Sequence, residues 1–210
     1  LVVATGAIPY RPEEFDCNRD PRVITNLDLE AMLKDEVPDA KRITFIACVG
    51  AGQGNHGCSR YCCTSMIAQA LRLRKMGKKV RVLYKEIRTY SRQAEELYEE
   101  ACRAGVQFFR YDPDQPPQRE ITWQDDHLRV HDHLLGADLL IPTDLVVLVV
   151  GLHPSSDDLA DQLKLSRSDD GFYMELHPKL GPVQTAVQGV FLAGTSQGAK
   201  DVRETMSQAL

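Results

Sequence analysis

Four of the six cysteines, Cys48, Cys58, Cys62 and Cys63, fall within sixteen residues, on a glycine-broken loop that leaves an apolar strand and enters a helix. The strand is Arg42–Ala47, and the loop from Val49 to Gly57 carries no side chain large enough to fill a core. Such a loop lets backbone approach a bound object closely. Cys58 and Cys62 are four apart, so on a helix beginning near Cys58 they share a face, with Cys63 turned about 100° away. With Cys48 at the strand end, they are placed to surround one compact object.

The candidates for that object ask different things of sulfur. A structural zinc ion takes paired ligands separated by a tight turn, and the adjacent Cys62 and Cys63 serve a single tetrahedral ion poorly. A cubane cluster presents irons at separate corners, so neighbouring thiolates can reach different irons and four cysteines complete the shell. The residues favour a [4Fe-4S] cluster, and they leave a dithiol/disulfide redox pair and a zinc site or inert thiols open as alternatives. Cys17 and Cys102, far off in sequence, read as buried thiols.

The 210 residues, 43% hydrophobic and 26% charged, suffice for one large or two small globular units. A net charge of −5 without a basic stripe argues against a nucleic-acid surface. No apolar run approaches the roughly 20 residues of a bilayer span, and no charged-then-apolar leader is visible, so a cytoplasmic chain is expected. Clustered cysteines fit a reducing compartment. The first strand begins at Leu1 with nothing before it to pair with, and the last helix stops in mid-pattern at Leu210. A piece of a longer polypeptide is therefore expected.

Between the ends the pattern alternates. Helical apolar spacing runs from Thr64 to Met76 and closes at Gly77. The strand Lys79–Tyr84 follows, then a helix N-capped by Ser91 and running to Gly105, then a strand from Val106 to Tyr111. A polar break from Asp112 to Gln118 precedes a hairpin of Ile121–Trp123 with Leu128–Val130, and Leu145–Val150 is a fully apolar strand. This is the dinucleotide-binding alternation. Gly50-Ala51-Gly52 begins the G-x-G-x-x-G fingerprint, but Asn55 stands at the third glycine, so nicotinamide nucleotide should bind poorly. Glu86, just past the second strand, reads as a ribose-binding acid or an exposed charge. His131 and His133 share a strand face as a metal pair or a solvated edge. His56 reads as a hydrogen-bond donor to a cluster or a plain loop histidine, and Lys200 with Asp201 as flavin contacts or a helix-start pair.

Several strings carry a family resemblance. Leu1-Val2-Val3-Ala4-Thr5-Gly6-Ala7-Ile8-Pro9 resembles the A-T-G turn of flavoproteins of the thioredoxin reductase type. Gly171-Phe172-Tyr173, Thr185 and Gly189-Val190-Phe191-Leu192-Ala193-Gly194-Thr195-Ser196-Gln197-Gly198 resemble their second flavin-binding segment. Within that superfamily, Cys48-Val49-Gly50 with Cys58-Ser59-Arg60-Tyr61-Cys62-Cys63 is similar to the A subunit of heterodisulfide reductases. Gln197-Gly198-Ala199-Lys200-Asp201-Val202 and His177-Pro178-Lys179-Leu180 point the same way.

The resemblance implies a Rossmann-like three-layer α/β domain of the pyridine nucleotide-disulfide oxidoreductase type, joined to part of an FAD domain. It implies that Cys48, Cys58, Cys62 and Cys63 ligate a [4Fe-4S] cluster, and that Thr5, Gly6, Gly194, Thr195, Gln197 and Gly198 line the FAD. It divides the chain into an FAD-domain segment and linker at 1–38, a nucleotide-binding-like domain at 39–150 and a returning FAD-domain segment at 151–210. The implied function is an electron relay between FAD and the cluster within a heterodisulfide-reductase-type or quinone-interacting complex. The glycine-rich FAD fingerprint would precede Leu1, so the isolated chain is expected to hold FAD weakly. The lysine expected near the flavin in electron-bifurcating relatives is absent from Thr64–Gln69. The alternatives are a stand-alone NAD(P)H-dependent disulfide reductase using Cys62 and Cys63, and a zinc-holding scaffold.

Overall fold

The computed structural model describes residues 1–51, 57–155 and 157–209. The first half runs β1 (Val2–Val3), β2 (Ala7–Pro9), β3 (Val23–Thr25), α1 (Asn26–Asp35), β4 (Arg42–Val49), α2 (Tyr61–Lys75), β5 (Lys79–Tyr84) and α3 (Ala94–Arg103). It continues through β6 (Gln107–Arg110), α4 (Pro117–Glu120), β7 (Ile121–Gln124), β8 (His127–Asp132), β9 (Ala137–Pro142) and β10 (Leu145–Val150). The remainder is β11 (Leu152–Pro154), α5 (Leu159–Leu163), β12 (Phe191–Leu192) and α6 (Val202–Ala209). Two compact units result. One gathers Leu1–Tyr10, Ala51–Tyr61 and Gly151–Leu210, and the other Arg11–Gly50 with Cys62–Val150.

The larger unit is built on a parallel sheet in the order β3-β10-β4-β5-β6. Burial explains the order. Every residue of β10, a continuous run of Val and Leu, is buried, and so are six of the eight in β4, whose Ile, Phe, Ala and Val are joined by a buried Thr44. Strands of that kind belong at the centre of a sheet covered on both faces. β6, with only half-buried and exposed positions, takes the edge. β4 pairs with β5 through Ile43–Val80 and with β10 through Leu145–Ile43. The chain leaves β4 for β5 on one side, while β10 lies on the other. The carboxyl end of β4 is therefore a topological switch point, where α/β sheets open a crevice for ligands.

Local chemistry sets the helices. Thr25 caps α1 reciprocally: its hydroxyl accepts from the Asp28 N–H at 3.2 Å, and the Asp28 carboxylate accepts from the Thr25 N–H at 2.9 Å. α2 buries Met66, Ile67, Ala70, Leu71 and Leu73, each large apolar side chain contributing about 1.5–3 kcal/mol. It stops at Gly77, whose φ of +83° supports bonds from Gly77 N–H to Arg74 and from Lys78 N–H to Leu73. α3 departs from the expected cap. The N-cap is Gln93 at φ +68°, which makes no side-chain cap bond, and Ser91 takes part through its backbone carbonyl, which accepts from Ala94 N–H. The expected hairpin gains a third strand, β9, in a small antiparallel sheet β7-β8-β9.

The smaller unit pairs β1 with β12 in parallel, Val2 to Phe191 and Val3 to Leu192, and β2 with β11 antiparallel. Val3, Leu165, Tyr173, Val190 and Leu192 form its core. The expected boundaries at residues 38 and 150 follow sequence order, and by contacts Arg11–Pro38 groups with the larger unit and Ala51–Tyr61 with the smaller.

Candidate functional site

In the larger unit Cys48 closes β4 with a left-handed backbone, φ +63°, and the β4–β10 register shifts beside it. A non-glycine residue held there costs on the order of 1 kcal/mol or more, and strain of this kind gathers at functional sites. Tyr111, fully buried, donates its hydroxyl to Ala47 O at 2.8 Å, one residue before Cys48. Burial, and then the neighbouring Cys48 thiol, push the Tyr111 hydroxyl well above the usual tyrosine range. The aromatic ring thus braces the strand end that carries the first cysteine.

Cys62 and Cys63 are both buried in the first turns of α2. The Cys63 thiol lies 3.9 Å from the Glu86 carbonyl. A hydrogen bond with the Cys62 side chain brings the Cys63 thiol down to about 7, opposed by burial and helped by the Arg88 backbone and charge. A thiol shifted downward ionises more readily, and the thiolate is the form that binds metal. The Glu86 carboxylate itself is exposed and paired with Arg88 at 2.9 Å.

In the smaller unit the two glycine-bearing turns come together. β1 and β12 lie side by side in parallel, so the turns that follow them, Thr5-Gly6 and Gly194-Thr195, leave the same edge. A Cβ on Gly6 would stand 3.8 Å from Thr195 Oγ1, and Ser196 Oγ donates to Val3 O at 3.2 Å, stitching one turn to the other strand. Gly6 and Gly194 both adopt positive φ, +78° and +67°, which glycine alone takes at little cost. Gln197 and Gly198, a step further on, line a cavity of about 210 Å³ together with Gly57, Cys58, Ser59, Arg60 and Phe172. Gln197 is oriented by bonds from its amide to Glu175 at 2.8 Å and to Pro182 O at 2.9 Å.

The structure therefore brings Thr5 and Gly6 to Gly194 and Thr195, and Cys58 to Gln197 and Gly198. Cys58 belongs to the smaller unit, and Cys48, Cys62 and Cys63 to the larger. No disulfide joins any of the six cysteines. Among the described residues no three His, Cys, Asp or Glu side chains are gathered tightly enough to hold an ion. By donor chemistry the set suits iron and sulfide: four thiols, two of them adjacent and one whose ionisation is eased by its neighbour.

Other expectations need correction or fall away. Cys102 is exposed and Cys17 half-buried, so neither is the buried thiol expected. His131 points to solvent and pairs with Asp138 at 2.8 Å, while the His133 N–H bonds Arg110 O. Lys200 hydrogen-bonds Gln197 and Gln208. The fingerprint positions Gly52 and Asn55, and His56, lie outside the described residues. Sequence reasoning missed Ser59, Gly151 and Tyr111; the only signal for Ser59 was its place between two cysteine-loop residues.

The sheet order, the switch point and the paired glycine turns define a reductase-type dinucleotide-binding fold. Thioredoxin reductase from T. acidophilum superposes on 96% of this chain and 58% of its own, with a TM-score of 0.60 at 16% identity, and fixes the class as the pyridine nucleotide-disulfide oxidoreductase fold. No protein-family model matches the chain. It is 39% identical, over 94% of its length, to the iron-sulfur A subunit of the CoB–CoM heterodisulfide reductase of Methanocaldococcus jannaschii. It is 35% identical, over its whole length, to the A subunit of the H2/formate:CoB-CoM heterodisulfide,ferredoxin reductase of Methanococcus maripaludis. Nearly the whole chain is thus similar to a part of heterodisulfide reductase A subunits. It spans about a third of the length of these relatives, 33% and 35%.

Proposed function

We propose that this chain is part of an oxidoreductase subunit of the heterodisulfide reductase type, acting on sulfur groups, that relays electrons between FAD and a [4Fe-4S] cluster. The observation that carries the reading is that Cys58 shares one cavity with Gln197 and Gly198, on the turn after β12. Cys48, Cys58, Cys62 and Cys63 would hold the cluster, and Thr5, Gly6, Gly194, Thr195, Gln197 and Gly198 would line the FAD. FAD accepts electrons in pairs and the cluster carries them singly, which is the chemistry the two groups supply when bound.

The chain's own residues prepare both sites. Gly6 and Gly194 keep side-chain bulk away from the paired turns, so that backbone amides can meet a pyrophosphate or ribityl chain. Cys63, held near 7, offers a thiolate without a large ionisation cost. Tyr111 and the left-handed Cys48 fix the direction of the first sulfur. The partners would be other subunits of a heterodisulfide-reductase-like or quinone-interacting complex in the cytoplasm. Among the described residues no helix is long and apolar enough to cross a membrane.

The hydrogen bond between Cys62 and Cys63 also supports a second reading, a dithiol pair in an NAD(P)H-dependent disulfide reductase. Geometry weighs against it, because neighbouring Cα atoms stand about 3.8 Å apart across a trans peptide, short of the roughly 4.4–6.8 Å a disulfide spans. Serine substitution separates the two. In the full-length polypeptide reconstituted anaerobically, Cys58→Ser and Cys48→Ser should strip most of the iron, whereas Cys17→Ser and Cys102→Ser should not. Full iron retention in the first pair would reject the cluster assignment.

A further inference from the structure

Ser59 is 7% exposed although both of its neighbours, Cys58 and Arg60, are exposed. Its hydroxyl accepts from Leu152 N–H at 2.9 Å and donates to Leu152 O at 3.3 Å, so both backbone polar groups of one residue hold it. Gly151 leaves the room: a Cβ there would stand 2.4 Å from Ser59 Oγ and 3.2 Å from Ser59 Cβ, closer than atoms pack. Directly after this latch Arg60 takes a left-handed backbone, φ +55°. Its N–H donates to Cys58 Sγ at 3.4 Å, and its guanidinium donates to Ala199 O at 3.4 Å. All of these residues lie in the smaller unit, around the cavity that Cys58 shares with Gln197 and Gly198.

An amide N–H aimed at a ligand sulfur withdraws negative charge from it. The reduced cluster carries one more negative charge than the oxidised one and gains more from such a bond, so the bond raises the reduction potential. Arg60 would not hold a left-handed conformation in an exposed loop unless its surroundings imposed it. Here the imposing contact is the pair of hydrogen bonds between Ser59 and Leu152. We propose that Ser59 is a positioning residue: latched to Leu152 through the space left by Gly151, it keeps the Arg60 amide on the Cys58 sulfur and thereby sets the potential of the cluster that Cys58 helps to ligate. This rests on the cluster assignment made above.

The test is redox potentiometry followed by electron paramagnetic resonance on the full-length protein, reconstituted anaerobically, with iron counted in every sample. Ser59→Ala should keep its iron and shift the potential to more negative values. Gly151→Ala, which drives Ser59 off Leu152 by collision, should shift it in the same direction. The double variant should shift it no further than Ser59→Ala alone, because both act through one latch. Independently, pulsed double resonance on the wild type should show an exchangeable proton coupled to the cluster, lost on transfer to D2O and weakened in Ser59→Ala. Wild-type potential in both single variants with clusters intact, or no exchangeable coupling in the wild type, would overturn the proposal. A wild-type protein that takes up no iron would overturn the cluster assignment instead, and the iron count tells these results apart.

Discussion

Replacing Tyr111 with phenylalanine removes one hydroxyl from a fully buried ring and leaves the shape of the core intact. The hydroxyl's partner is Ala47 O at 2.8 Å, on a residue only 2% exposed, so water cannot take its place. An orphaned buried acceptor costs about 1–3 kcal/mol, and we take about 2 kcal/mol at pH 8, or roughly 4–8 °C in melting temperature for a chain of this size. The deficit should depend on pH in a definite direction. In the folded wild type Tyr111 stays protonated above the ordinary tyrosine range, through burial first and the Cys48 thiol second. In the unfolded chain it ionises near 10, which favours unfolding of the wild type alone as pH rises past that value. At pH 11 the unfolded wild type has gained about 1.4 kcal/mol, and the variant's deficit should shrink to well under 1 kcal/mol. Urea unfolding of both proteins at pH 8, 9, 10 and 11, followed by circular dichroism, measures the difference. A deficit as large at pH 11 as at pH 8 would refute the assignment of a buried, neutral tyrosine bracing the end of β4.

Three further outcomes are expected. Gly77→Ala should cost about 1 kcal/mol in urea unfolding, because Gly77 sits at φ +83° with nothing within 4 Å of an added Cβ, so the penalty is backbone strain alone. In the cluster-free chain a small alkylating reagent read by peptide mass spectrometry should modify the exposed Cys58 and Cys102 well before the buried Cys62 and Cys63. Calorimetry with NADH should give a dissociation constant no tighter than about 1 mM, near −4 kcal/mol, since Asn55 stands where the fingerprint needs glycine; micromolar binding would favour the disulfide-reductase reading.

β10 could be read directly because its burial is uniform and an unbroken apolar run needs no partner to declare itself, and β4 and β5 because their apolar residues recur closely between a few polar ones. Gly77 ended α2 as expected, because its left-handed turn is local chemistry. α1 was invisible, its sequence Asn26-Leu27-Asp28-Leu29-Glu30 being too mixed for a clear period, and only the Thr25–Asp28 box reveals why it starts there. The Ser91 cap failed because Gln93 could take a left-handed backbone instead. The pairing of the Thr5-Gly6 and Gly194-Thr195 turns depends on two strands nearly 190 residues apart, β1 and β12, which no local pattern encodes. The latch of Ser59 on Leu152 is equally non-local, 93 residues apart in sequence. The cysteines were legible as residues, but the placement of Cys58 in one unit and the other three in the second was not.

Iron and acid-labile sulfide, counted per chain in anaerobically reconstituted protein, test the central claim most directly. The account predicts about four of each, with visible absorbance that bleaches on reduction. Stoichiometric zinc with no iron, under conditions in which iron and sulfide are both supplied, would contradict it.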